Sequence, residues 1–186
     1  MLTMDRLQRA KFRPLFVEDA VRTALRDAVA WRIGGGSAPH ADAFAAAATA
    51  AARLALDAVD GDSAERSSTL AAVQRAARRF TASPLCRRLM HVPASRFVRL
   101  PRTALGADVI VRDRQQHLHA VALTIRGDAL ETGHIATRVA SATPLPAGDR
   151  LSPLTVHVFS LATGRRRTFQ RDAANARRPM SDARVA

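Results

Sequence analysis

Pro84 divides the chain into two patterns of apolar spacing, and this division limits its possible folds more than any other feature. Before it, apolar residues recur three and four positions apart, the period of a helix; after it, short runs alternate at every second position, the period of a strand. Pro14 opens a first helix, with Glu18 and Asp19 in turns where the helix dipole favours acids. Val21, Ala24, Leu25, Ala28 and Val29 continue it, and Gly34-Gly35-Gly36 ends the run. A second helix covers about Ala41 to Val59 and is more than half alanine, with Phe44, Leu54, Leu56 and Val59 as its larger contacts. Gly61 breaks it. Asp62 stands three residues before Glu65, a capping-box start for a third helix whose Leu70, Val73, Ala77 and Phe80 share one face. Pro84 then closes the helical half.

Strands are expected at 96–100 (RFVRL), at 107–111 (ADVIV) and, after a turn at Asp113 to Gln116, at 117–125 (HLHAVALTI). Asp128 and Glu131 repeat the capping spacing and begin a helix reaching about Ala142. Pro144, Pro146, Gly148 and Pro153 mark a loop, a strand follows at 154–161, and a short edge strand returns at 166–169. The predicted fold class is α+β: N-terminal helices, then a mixed central β-sheet flanked by helices in the order αβββαβ. Three regions follow: helical residues 1–62, an α/β core over 63–171, and an Arg-rich tail over 172–186, expected to be disordered.

Charge narrows the partner class. The net charge is +13, from 29 basic against 16 acidic residues, and Lys11 is the only lysine. A GC-rich genome would account for Arg over Lys but not for the net excess, which points to an anionic partner. The excess is concentrated. Residues 63–102 hold nine arginines against Glu65 alone, and 164–186 hold seven against Asp172 and Asp182. The candidate nucleic-acid contacts are therefore Arg66, Arg75, Arg78, Arg79, Arg87 and Arg88 in the first cluster, and Arg165, Arg166 and Arg167 in the second. Trp31, seven Phe and no Tyr make a poor base-stacking platform, so contact through the phosphate backbone fits better.

Other classes fall away. Cys86 stands alone, so no intramolecular disulfide can form. The chain has no apolar stretch long enough to span a membrane and no secretory h-region near Met1, so a cytoplasmic location is expected. Gly34-Gly35-Gly36-Ser37 lacks the ending of a phosphate loop, and no Gly-x-Ser-x-Gly elbow is present. Arg87, Arg88 and His91 would activate an exposed Cys86 thiol, while Leu85 and Leu89 point to a buried, inert one. His117, His119 and His157 could meet across two strands, but no acid or Cys accompanies them at ligand spacing, and no metal site is assigned.

The order of elements over 63–161, with Gly-Ala-Asp-Val-Ile-Val feeding a hairpin into a second apolar strand, resembles the core of the PD-(D/E)xK nuclease-like superfamily. The resemblance implies an Asp on the second strand and an acid-x-Lys triplet on the third, together holding a divalent metal. Asp108 matches the first position. Ala122-Leu123-Thr124 stands where the triplet belongs, with neither carboxylate nor lysine. Asp108 is then a catalytic remnant or simply an acid paired to a nearby Arg, and no cofactor is expected. The leading expectation is a non-catalytic nucleic-acid-binding protein, with DNA as its ligand, acting within a larger assembly. One alternative is an active Mg²⁺-dependent nuclease in which Glu65 or Glu131 supplies the missing acid. Another is a scaffold subunit, itself an oligomer, whose basic surface meets an acidic protein.

Overall fold

The computed structural model describes residues 6–58, 62–100, 106–142, 153–171 and 181–182. Helix α1 (Arg6–Ile33) starts eight residues before the position expected of it and carries Pro14 inside. Proline removes one backbone hydrogen bond there, and the Leu, Gln, Arg, Ala and Lys residues that precede it are good helix formers. Gly34 and Gly35 end the helix as expected, Gly35 with φ 92°. Helix α2 (Ala41–Asp57) buries Phe44, Ala45, Ala48 and Ala52. Helix α3 (Ser63–Thr81) is capped by the Asp62 carboxylate, which accepts from Ala64 N at 3.0 Å. Val73, Ala77 and Phe80 are its buried stripe.

Pro84 does not end the helical half. It occupies the first turn of a short helix α4 (Pro84–Met90), whose N-cap Ser83 accepts from Cys86 N at 3.1 Å. The missing proline N–H costs nothing at a position where no intrahelical partner exists. A 3₁₀ turn (Ala94–Arg96) leads into β1 (Phe97–Val98), followed by β2 (Val109–Arg112), β3 (Leu118–Thr124), α5 (Ala129–Ala142), β4 (Leu154–Ser160) and β5 (Arg166–Arg171). The mixed sheet has the order β1-β2-β3-β4-β5-β6, where β6 is the two-residue pairing Ser181–Asp182. β3 and β4 run parallel, joined through α5, and every other neighbouring pair is antiparallel. Within the tail, Ser181 and Asp182 pair with Gln170 and Phe169 on the outer edge of β5. The rest of 172–186, and the loop carrying Pro144, Pro146 and Gly148, lie outside the described residues.

Alternation along the strands builds two cores. Val109, Val111, Val121, Leu123 and Phe159 face α1 to α4, while Ile110, Leu118, Ala120, Ala122, Val156 and Val158 face α5. The ring of Phe80 is the pivot of the first core, 5.7 Å from Phe44 of α2 and 5.4 Å from Phe159 of β4. The helices before residue 58 therefore form a layer on the sheet, sharing one apolar cluster with it. No helix among the described residues is long and apolar enough to cross a membrane.

Candidate functional site

Two polar centres stand out against these cores. The first surrounds Asp108, which precedes β2 and whose side chain is 0 % exposed. Its Oδ1 accepts from Arg22 Nε at 2.7 Å and lies 3.0 Å from Arg26 Nη2; its Oδ2 accepts from Leu123 N at 2.8 Å. Glu18 completes the cluster, with Oε1 3.4 Å from Arg22 Nη1 and Oε2 accepting from Ile125 N at 2.8 Å. Glu18, Arg22 and Arg26 recur four residues apart, so α1 lays all three along one edge of its buried stripe. Burial works against the Arg22 charge, but Asp108, by charge and hydrogen bond, with Glu18 and Asp19 behind it, outweighs burial and holds the guanidinium above its ordinary range.

This arrangement does not fit a divalent cation. A hard metal needs carboxylate oxygens with free lone pairs, and both oxygens of Asp108 are engaged by N–H donors, two of them cationic. Ala122 faces α5, and the Thr124 hydroxyl accepts from Arg126 N at 3.1 Å. Glu131 pairs with Arg126 at 2.7 Å, and Glu65 sits in the first turn of α3; neither bonds Asp108. The acid that does share its cluster is Glu18. Among the described residues no group of three or more His, Cys, Asp or Glu is placed to hold a metal. A cleft of about 590 Å³ between α1 and the β1–β2 edge opens beside this cluster, with Arg26, Arg99, Ile33 and Leu100 on its walls.

The second centre joins the two arginine clusters. Arg79, on the last turn of α3, donates through Nη1 to Leu161 O at 2.7 Å and also to Ala162 O, in the turn between β4 and β5. Gly164, with φ 75°, lets the Arg79 stem pass; a Cβ there would stand 3.1 Å from Cδ. Arg75 and Arg78 are exposed on the same helix, Arg87 and Arg88 on α4, and Arg165 at the start of the returning strand. Arg166 shares the face of β5 that carries Thr168, next to His157 of β4. Two candidates fall elsewhere. Arg66 lies nearly a full helix length away and meets Asp57 at 3.4 Å, and Arg167 is opposite Val158 on the alternate face of β5.

On the face of β3, β4 and β5 that carries Arg166 runs a chain of hydrogen bonds. His119 Nε2 is 3.3 Å from Asp113 Oδ2, His119 Nδ1 is 3.2 Å from His157 Nε2, and His157 Nδ1 is 3.3 Å from Thr168 Oγ1. Burial, then the charges of His119, Arg166 and Arg88, press His157 down to about 4. The slight burial of Asp113 would raise its carboxyl, but the N–H of His117, the His119 ring and the N–H of Gln115 outweigh it and hold it below the usual range. His117 is only 3.9 Å from Asp113 and does not join His119 and His157 as a ligand set. Cys86 is buried, which pushes its thiol up to about 11, so the inert reading of that residue applies.

Sequence reasoning missed Glu18, Arg22, Arg26, Asp113 and Thr168. The four-residue recurrence on α1 was the one available signal for the first three. Comparisons with family models, curated proteins and solved structures give no match to this chain.

Proposed function

We propose that this chain binds duplex DNA through its phosphate backbone, in the cytoplasm and as part of a larger assembly, on a degenerate nuclease-like fold that holds the polymer without cutting it. The observation that carries this reading is the Arg79 contact to the β4–β5 turn, 82 residues away in sequence. It ties the end of α3 to the turn that leads into β5, so that the exposed Arg75, Arg78, Arg87 and Arg88 act with Arg165 as one surface. Phe44, Phe80, Phe97, Phe159 and Phe169 are all buried, which leaves Trp31 as the one exposed aromatic side chain among the described residues, too little for a stacking platform, and favours duplex over single strands. The engaged carboxylate of Asp108 supports holding over cleavage.

A fluorescent duplex titrated with the full chain tests the reading. Binding is micromolar or tighter in dilute salt and weakens at least roughly tenfold between about 50 and 200 mM salt. Plasmid incubated with Mg²⁺ or Mn²⁺ stays uncut. Cleavage that disappears in Asp108→Ala would replace this reading with the metal-dependent nuclease. Retention of an acidic protein with no retention of DNA would replace it with the scaffold.

A further inference from the structure

Helix α2 is covered on one side only. Phe44, Ala45, Ala48, Thr49 and Ala52 form its buried stripe, against α1 and α3. The opposite arc, centred on Ala50, is exposed along its length. Two rows run down that arc. Asp42, Ala46 and Arg53 make one; Ala43, Ala47 and Leu54 make the other, and Leu54 is 75 % exposed, more than any other large apolar side chain among the described residues. Asp42 and Arg53, about three turns apart, engage no hydrogen bond or ion pair among the described residues. Asp57, at the far end of the helix, already meets Arg66 at 3.4 Å.

We propose that this face of α2 is the interface of an antiparallel homodimer of the chain. When a helix meets its own copy across a two-fold axis perpendicular to both, each row faces itself reversed. With that axis at the level of Ala48, Asp42 stands opposite the partner's Arg53, Ala43 opposite the partner's Leu54, and Ala46 opposite the partner's Ala50. Each unpaired charge gains its opposite at both ends of the interface, and each leucine is received by an alanine small enough to let it in. The central alanines let the helix axes approach to the low end of about 8–10 Å. A parallel pairing would instead set Asp42 against Asp42 and Arg53 against Arg53. Charge also selects the place where two copies can meet. The chain carries +13, yet between Ile33 and Asp62 it holds Arg53 against Asp42, Asp57, Asp60 and Asp62, so α2 lies in an acidic stretch where two basic molecules approach with least repulsion. One pair of helices of this length buries an area at the small end of specific interfaces, and the dimer therefore dissociates in the micromolar range.

Sedimentation velocity of the full chain, from about 1 to 200 µM and without DNA, tests the proposal. The wild type passes from monomer to dimer across this range. Ala47→Glu combined with Ala50→Glu, both at exposed positions, stays monomeric with an unchanged circular dichroism spectrum. Arg53→Asp weakens the dimer roughly tenfold, as does Asp42→Arg, because each sets like charges opposite one another at both ends; the two combined restore it. Under mild oxidation Ala47→Cys, next to the axis, links two copies, and Ala43→Cys, far from it, does not. A wild type that stays monomeric, or a dimer indifferent to Ala47→Glu with Ala50→Glu, overturns the proposal. So does a double charge reversal that fails to restore the dimer, or Ala43→Cys linking as readily as Ala47→Cys, since either removes the antiparallel register. If the wild type is monomeric and phosphatidylglycerol vesicles bind it but not Leu54→Ser, the face belongs to a lipid surface instead. No arm contains a nucleic acid, so the outcome stands or falls apart from the DNA-binding reading.

Discussion

Asp108 draws its neutrality from arginines of a helix that ends 75 residues before it, and that dependence sets the cost of changing it. Replacing the charge while keeping the shape, Asp108→Asn, takes from Arg26 the carboxylate it meets at 3.0 Å and leaves Arg22 with Glu18 alone, at 3.4 Å. Removing one member of a buried ion pair costs about 3–5 kcal/mol. The arginines keep 23 and 34 % of their surface exposed, so solvent recovers part of this and the expected loss is about 2–3 kcal/mol. Chemical denaturation checks the value, and Arg26→Met added to Asp108→Asn restores part of the stability. A loss below about 0.5 kcal/mol would mean that the cluster is no more than a surface contact. An acid entering a strand was visible in the sequence as a position of interest. Its partners were not, because Glu18, Arg22 and Arg26 read as the solvated edge of a helix until the sheet beneath them is known.

Among the elements, the α3–α4 corner and the β4–β5 hairpin are locked by Arg79, whose guanidinium satisfies two carbonyls of the turn. Arg78, its neighbour, is exposed and has no such task. Arg79→Ala therefore destabilises the fold by about 1–2 kcal/mol, since it leaves turn carbonyls without their charged donor. Arg78→Ala stays within about 0.5 kcal/mol and acts on DNA affinity instead. Parallel thermal melts and DNA titrations of the two variants separate these roles; equal effects of both on both would contradict the assignment. Strand alternation made β2, β3 and β4 readable, because at those positions burial alternates between the α1–α4 face and the α5 face. Pro84 was misread because a proline ends one helix and starts another equally well. Which it does depends on the Ser83 hydroxyl reaching Cys86 N, a local contact that the apolar pattern does not record.

For the whole molecule, the two arginine clusters are far apart in the chain and become neighbours only when β4 and β5 dock beside α3 and α4. The charge bias was legible as a preference for an anionic partner; that the clusters meet was not, since the meeting depends on a contact between a helix end and a hairpin turn. Arg66 and Arg167 show the limit of counting charges by segment, as each belongs to a cluster by sequence and lies apart from the joined surface in space. The central claim is that α4 and β5 contribute to a single phosphate-binding face. The most direct measurement is the slope of log affinity against log salt for duplex DNA, compared among the wild type, the pair Arg87→Ala with Arg88→Ala, the pair Arg165→Ala with Arg166→Ala, and all four together. Each pair is predicted to reduce the slope by about 1–2, and all four together by about the sum, with thermal stability unchanged. A slope that responds to only one of the two segments, or to neither, would contradict the joined surface.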